Sequence, residues 1–499
     1  MLLFGLTPFG SLFRKKQVRS TIPVNEIFQK HMRAAYDAAK TTVQNENHWA
    51  NADLMGPNAS ASYEVRRMIW SRARYEANQA NSFAKGMVLT KTNDIVGTGP
   101  RIQIETGNGK ANRLLEKRIT EWMEAIRLAK KIWTGRNAIT IDGACVYRAY
   151  LNPRLKTPVK LDVSPMECDR LVGRPEKMQQ ENYVEGIQFD EYDNALTYDF
   201  LRYHPGENGM FTMGAEYLPP VKSKYVMHMF RPDRPGQKHG VSEIATSLPL
   251  FAQLRRYTLA TIAAAESAAE IAAVMQSTSG AFTADDVEDV EALEAIDFAF
   301  RQMLTLPKGW SISQVKAEHP TTTYVEFRNA ILNEASRCMN MPFNIAAGNS
   351  SSYNYASGRL DHQGYFKSIL LDQTETEREL LKPLVDMWLE YAMFAGQIPD
   401  GLPPWGDWII TWHWDGTEHV DPKKEADAEN IKLKNMSTTY ASVYARKGKD
   451  WETEIRQIAK EQKLIRDLEL NMGAIHGEST EETGEAESEE REEEYAEAV

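Results

Sequence analysis

Residues Arg231–Gln276 read RPDRPGQKHGVSEIATSLPLFAQLRRYTLATIAAAESAAEIAAVMQ, a Pro/Gly/basic turn opening into a long helical pattern. Eight of the fourteen residues from Ala260 to Ala273 are alanine. Alanine is the strongest helix former and adds almost no side-chain volume. Such a helix can approach a neighbour closely but has too little apolar bulk to build a core of its own. It must be packed by something else, and Ala260, Ala264, Ala268 and Ala272, at i, i+4 spacing, are the positions expected to make that contact. Pro249 near the start either kinks this helix or sets its first turn.

The surrounding chain is long enough, at 499 residues, for two to four domains. Its net charge of −12 is concentrated at one end. From Glu478 onward there are eleven Glu and one Arg, so the remainder is close to neutral. A near-neutral body argues against tight nucleic-acid binding, which calls for a basic excess, but allows handling of DNA without gripping it. Cys145, Cys168 and Cys338 are odd in number and far apart, which indicates neither a disulfide framework nor a zinc site. No apolar run approaches the roughly 18 residues that span a bilayer. The opening MLLFGLTPFGSLFRKKQ places apolar residues before basic ones, the reverse of a secretory signal, and reads as an arm or a removable leader.

Outward from the alanine-rich segment, periodicity predicts a helix near Val24–Lys40 and another over Tyr63–Lys91, with Val65, Ile69, Arg72 and Glu76 on one side. A third is predicted over Asn112–Lys131, with Leu114, Leu115, Ile119, Trp122, Ile126 and Leu128 as its apolar stripe. Between Ala144 and Phe230 the period shortens. VYRAY, PVKLDVSP, VEGIQFDEYDNALTYDF and KYVMHMF read as strands and hairpins, with Asp193-Asn194 in a tight turn. Residues 277–320 read as a compact insert. It should hold a helix capped by Thr283 and running to Phe300, then two strands flanking a Pro-Lys-Gly turn. Further helices are expected at Tyr324–Met339, Leu360–Ala395 and about Pro422–Leu470. Before the last of these, Trp408, Ile410, Trp412 and Trp414 alternate onto one face of a strand. The fold class is α+β, mainly helical.

Enzymatic signatures are missing from the sequence: there is no GxxxxGK[ST], HExxH, GxSxG or CxxC, and Gly97 and Gly99 form a GTG without a third glycine. Asp285, Asp286, Glu288 and Asp289 resemble a metal-binding carboxylate cluster, but on a helix they point in several directions and read as a solvated face. His413 reads as an ordinary strand histidine. The tryptophans could stack bases but fit a buried sheet face better. Arg255 and Arg256 sit on different sides of a helix and suit local salt bridges. The loop GNSSSYNYASG differs. Asn349, Ser350, Ser351, Ser352, Tyr353, Asn354 and Tyr355 offer hydrogen-bonding groups without charge. It reads either as a plain surface loop or as a surface touching a polyanion weakly, since a sliding contact should lack the Lys and Arg whose phosphate contacts are costly to break.

Five stretches in order carry a resemblance: IWSRARYEANQANSFAKGMVLTKTNDIVGTG; the EGIQFDEYDNALTYDF hairpin followed by His204-Pro205-Gly206; RPGQKHGVS; EFRNAILNEASRCMNMPFNIAAGNSSSYNYASGR; and WHWDGTEHVDPKKEADAE with the later RKGKDWETEIRQIAKE. Together, over roughly residues 60–465, the chain resembles the lambda-type family of tailed-phage portal proteins. The resemblance implies a portal fold with wing, long stem helices, a small α/β clip, a tunnel loop and a helical crown. It divides the chain into an arm (1–59), first wing part (60–240), stem helix (241–276), clip (277–321) and second stem helix (322–341). The tunnel loop (342–358), a wing helix (359–400), the crown (401–472) and an acidic tail (473–499) follow.

The resemblance further implies a ring, usually of twelve subunits, at one capsid vertex of the virion, assembled in the host bacterial cytoplasm. Double-stranded DNA would enter and leave through it without sequence preference, passing the loop 349–355. The implied partners are the terminase large subunit, which carries the packaging motor, the major capsid and scaffold proteins, and a head-completion protein that connects head to tail. No catalytic residue, metal, cofactor or membrane is implied. The competing readings are a structural capsid or tail protein that never contacts DNA, and a metal-dependent nuclease built on the Asp285–Asp289 cluster.

Overall fold

In the computed structural model of the chain, the structure describes residues 46–207, 216–270, 274–277, 310–313, 322–351, 355–416 and 422–468. The chain divides into two compact units, Met1–Ser60 and Ala61–Val499. The described part of the first holds a 3-10 turn at Glu46–Trp49 and a helical turn at Pro57–Ser60. The expected helix near Val24–Lys40, the one capped by Thr283 with its Asp285–Asp289 cluster, the strand before the Pro-Lys-Gly turn and the acidic tail lie outside the described residues.

Elements of the second unit are numbered from Tyr63. Helix α1 (Tyr63–Arg74) runs into a π-helical turn at Tyr75–Ala80, and α2 (Ser82–Val96) starts afresh. The single helix expected over Tyr63–Lys91 is therefore broken at Asn81, whose backbone is extended (φ −133°, ψ 111°) and whose side chain accepts from Phe83 N and Ala84 N. An asparagine that can cap a helix competes with its interior place in one. The buried face also differs from expectation. It is Arg66, Trp70, Ala73, Glu76 and Ala77, while Val65 is exposed. Arg66 is tolerated there because its guanidinium pairs with Glu185 at 2.8 Å and lies over the Trp70 ring.

Strand β1 (Arg101–Glu105), α3 (Gly109–Ala125) and α4 (Leu128–Asp142) follow. The helix expected to continue to Lys131 stops at Ala125, because Arg127 takes a left-handed conformation (φ 54°) and redirects the chain. Of the predicted stripe, Leu115, Ile119, Trp122, Ile126 and Leu128 are buried and Leu114 is exposed.

The region from 144 to 230 is β-rich as expected: β2 (Ala144–Leu151), β3 (Leu161–Met166), β4 (Tyr183–Val184), β5 (Ile187–Phe189), β6 (Ala195–Tyr198), β7 (Val221–Lys222) and β8 (Val226–Phe230). Asp193, at φ 68°, sits in the turn between β5 and β6. Strands β3-β2-β8 form one antiparallel sheet and β4-β5-β6-β7 another. Strand β2 is buried on both faces, and its period of two divides it between two cores. Cys145, Tyr147 and Ala149 join the large helical core with Trp122, Ile132 and Leu384, whereas Ala144 and Val146 join a smaller one with Trp70, Ile187 and Phe200.

Helix α5 occupies Leu248–Glu270, preceded by a 3-10 turn at Ala245–Ser247. Pro249 is thus in the first turn, where its missing N–H costs no helical hydrogen bond. The helical pattern does not persist to Gln276: Val274–Ser277 is strand β9, paired antiparallel with β10 (Trp310–Ser313). Then come α6 (Thr322–Ser336), the short α7 (Phe343–Ala347) and α8 (Tyr355–Thr376). A second π-turn at Glu377–Leu381 leads into α9 (Lys382–Phe394). Strand β11 (Ile409–His413) pairs with β1, Ile102 opposite Trp412. Trp408 and Trp414 are buried in the large core, which ties 408–414 to the early part of the chain. The last helical stretch is three helices, α10 (Pro422–Lys434), α11 (Tyr440–Arg446) and α12 (Trp451–Asp467), separated at Met436 (φ 53°) and Gly448 (φ 69°). No described helix is long and apolar enough to cross a membrane.

Candidate functional site

The approach to α5 is fixed by residues of the opening stretch. In the RPGQKHG turn, the Gln237 carboxamide accepts from Asp233 N and Arg234 N and donates to the His239 carbonyl. Gly240 then crosses Gly143 so closely that a Cβ on Gly240 would overlap the Gly143 carbonyl oxygen, and a Cβ on Gly143 would overlap the Val241 backbone. Only glycine permits this crossing.

Three residues later, Glu243 enters a buried charge cluster. Its carboxylate meets Lys91 Nζ of α2 at 2.9 Å and Arg136 Nη2 of α4 at 2.9 Å. Asp372 of α8 lies 3.0 Å from Arg136 and 3.6 Å from Lys91. Two cations and two carboxylates thus join three helices to the segment that starts α5. Burial pushes the Glu243 carboxyl up, but the Arg136 and Lys91 charges more than reverse this and hold it well below the usual carboxylate range.

Helix α5 packs on α6 near its beginning. Tyr257 stacks on Tyr324 (5.6 Å between ring centroids) and meets Phe327 edge-on at 4.9 Å. The Thr258 and Tyr324 hydroxyls are 3.1 Å apart, and Ser247 Oγ donates to the Ala335 carbonyl. Arg255 pairs with Glu76 at 2.9 Å, the local salt bridge expected of it. Beyond Thr258 the helix loses its cover. Leu259 is 59% exposed and Ile262 49%, and Ala260, Ala263, Ala264 and Ala265 are all exposed. On α6, Val325 and Phe327 are each 48% exposed. Both helices therefore leave apolar or alanine side chains exposed among the described residues. Ala268 lies on α5, and Ala272 is outside the described residues.

The polar loop is shorter than expected. Helix α7 occupies its first part, Gly348 ends that helix at φ 62°, and Tyr355 begins α8. Asn349, Ser350 and Ser351 are exposed, with Asn349 Oδ1 accepting from Ser351 N. Ser352, Tyr353 and Asn354 lie outside the described residues. At the loop's base the Asn344 amide meets His362 Nε2 at 2.9 Å, and Tyr365 donates to Asp94.

One cluster with metal-ligand composition was not visible in the sequence: Glu167, Asp169 and His204, whose donor atoms lie within 4.8 Å of one another. It behaves as an ion-pair network. Gly206 N donates to His204 Nδ1, which leaves the ring proton on Nε2; that nitrogen lies 2.9 Å from Glu167 Oε2 but without the alignment of a hydrogen bond. Arg74 Nη2 already holds Asp169 at 2.6 Å. Cys145, Cys168 and Cys338 are free thiols, and burial pushes each of them up.

Residues 44–373 match the family model described as phage portal protein, lambda family. That is well over half of the chain, and the chain belongs to this family. A curated relative, the probable portal protein of Halomonas phage phiHAP-1, is 25% identical over 291 residues, 55% of this chain and 54% of the relative. The chain thus spans about half the length of that relative. Among solved structures, it is similar to a chain in the neck of an empty GTA particle (TM-score 0.47, 12% identity, 74% of this chain and 90% of that one). It is also similar to one in the neck of a native GTA particle (TM-score 0.44, 10% identity, 76% and 91%).

Proposed function

We propose that this chain is the subunit of a ring, of twelve copies, that forms a channel for double-stranded DNA at one vertex of a phage capsid. DNA is packaged and ejected through it. The ring docks the terminase large subunit, the major capsid and scaffold proteins, and a head-completion protein. The observation that carries this reading is the uncovered stem: an alanine-rich helix, paired with α6 at its base, left apolar and exposed in a chain of the portal family. Fully burying a Leu, Ile, Val or Phe side chain contributes about 1.5–3 kcal/mol. Leu259, Ile262, Val325 and Phe327 therefore hold a substantial drive for association. In a closed ring each contact is heterologous and repeats around the axis, so one copy's α5 meets a different face of the next. Alanines at 260, 264 and 268 let the helices come close there.

Under this reading residues 60–240 and 359–400 form the wing, 241–276 and 322–341 the stem, 277–321 the clip and 401–472 the crown. The loop Asn349–Tyr355 faces the channel, where uncharged hydrogen-bonding groups touch the duplex without holding it. No catalytic residue, metal or cofactor is assigned, and the driving force for translocation comes from the terminase. The loop assignment is tested by replacing Ser350, Ser351 and Ser352 with lysine and timing DNA packaging. New phosphate contacts should slow passage, most strongly at low salt. An unchanged rate would remove the loop from the channel wall.

A further inference from the structure

The turn that leads towards α5 is exposed along most of its length and then dives into the protein. Arg231 to Gly236 are all exposed, and Gly236 bends the chain at φ 81°. Lys238 reaches Asp193 at 3.0 Å and lies over the Phe189 ring, but Asp193 is largely in water, so this pair holds the turn weakly. His239 is the most deeply buried side chain of the turn, at 3% exposure. Its ring enters a pocket formed by Arg66 of α1, Val184 and Glu185 at the β4–β5 turn, and His228 of β8.

That pocket suits an uncharged imidazole. The ring donates to the Val184 carbonyl, which leaves Nε2 as a bare acceptor, buried and without a hydrogen-bond partner among the described residues. His228, its ring centroid 5.5 Å away, also buries an Nε2 that has no partner. Arg66 is 2% exposed and already holds Glu185 at 2.8 Å; the same Glu185 oxygen lies 3.8 Å from His239 Nε2. Tyr198 of β6 covers the His228 ring edge-on and brings no charge. With both rings neutral, one guanidinium faces one carboxylate. With both rings protonated, three cations would face Glu185 alone.

We propose that His239 is a pH-sensitive latch, which pins the 231–240 turn to the body while its ring is neutral and lets the turn open when the ring takes a proton. In the closed turn, burial and then Arg66 and His228 hold the imidazole well below its ordinary value. In the open turn the ring meets water and titrates near pH 6.5. Below that pH the open form binds the extra proton, so each further unit multiplies the open fraction about tenfold. At pH 7.5 the latch stays shut. The turn ends at Gly240, three residues before Glu243, so opening loosens the approach to α5 as a local event and leaves the two cores folded.

Hydrogen–deuterium exchange of the purified full chain, followed by mass spectrometry between pH 7.5 and 5, tests this. Once the intrinsic pH dependence of exchange is removed, a peptide spanning 231–241 should lose protection about tenfold per unit below pH 6.5. At pH 5 it should exchange over a time in which β2 stays protected. His239→Gln cannot charge, so its turn should show a flat pH profile, whether the turn is well or poorly protected overall. His204→Gln, outside the pocket, should keep the wild-type slope. A turn whose protection does not change with pH overturns the proposal. So does a turn that loses protection only together with β2, or a slope that survives in His239→Gln. The latch makes no use of contacts between copies, so its failure leaves the ring reading standing.

Discussion

Lys91 Nζ and Glu243 Oε2 lie 2.9 Å apart with both side chains at least 95% buried, joining α2 to the segment that leads into α5. A charge pair this deep costs desolvation when formed, and its removal on one side leaves the other charge stranded. Here the stranded charges would be two, Lys91 and Arg136, with only Asp372 to compensate. Glu243→Gln should therefore destabilise the fold by about 3–5 kcal/mol, read as a lower urea midpoint. Adding Lys91→Met to that variant should recover part of the loss. Additive losses in the double variant would mean that the two residues do not act as a pair.

Acid should weaken the protein through buried imidazoles. His228 and His239 lie side by side, ring centroids 5.5 Å apart, with Arg66 close to both. Burial and then the Arg66 charge lower His228 to about 3, and burial, Arg66 and His228 lower His239 well below its ordinary value. Unfolded histidine takes up a proton near pH 6.5, so below that pH the unfolded chain binds more protons and stability falls. The slope reaches about 1.4 kcal/mol per pH unit for each histidine, down to the folded pKa. Glu379 runs the other way: its folded carboxyl is raised to about 7, so its contribution is present below about pH 4.5 and lost as pH rises through 7. Comparing wild type with His228→Phe between pH 7.5 and 5 isolates the imidazole. The variant should show the shallower decline, and parallel curves would contradict the assignment.

The crossing of Gly240 over Gly143 gives a third expectation. Gly240→Ala has no room for its methyl without moving the Gly143 carbonyl and the chain that leads to Glu243. Overpacking of this kind costs about 1–3 kcal/mol, and calorimetry should show a lowered transition. Gly358→Ala, whose Cβ would meet nothing within 4 Å, is the control and should not lower the transition; within α8 it should raise it slightly.

Much of this architecture was legible in the sequence where the signal is local. The strands of 144–230 announced themselves by short β-branched and aromatic runs, and Asp193 and Asn194 by their preference for tight turns. Trp408 and Trp414 fell on one buried face as their alternation required. Helix breaks were harder. Asn81 looks like one more polar helix residue until its side chain is seen capping α2, and Arg127 carries no glycine-like warning of its left-handed turn.

Long-range pairing was not legible. Nothing local marks Arg66, Lys91 and Arg136 as buried, because their partners Glu185, Glu243 and Asp372 stand roughly a hundred residues or more away in sequence. Val274–Gln276 reads as helix because the strand that pairs with it begins at Trp310. The exposed face of α5 could be anticipated from its alanine content, but the Tyr257–Tyr324–Phe327 cluster that joins it to α6 could not.

The proposed inter-subunit role of α5 is probed by Ala264→Trp, which inserts a large ring on the exposed face of that helix. A single subunit has open space there, so its melting in the unassembled state should change little. Close helix contacts between copies would be overpacked, so assembly should fail while folding survives. Size-exclusion chromatography separates these outcomes, and normal assembly of the variant would place the inter-subunit contact elsewhere.

The ring is tested most directly by negative-stain electron microscopy of the purified full-length protein. The account predicts circular particles with a central hole, about twelve units around, whose size collapses in the Ala264→Trp variant. Discrete particles of single-subunit size, or aggregates without a central opening, at concentrations where the protein remains folded would contradict it.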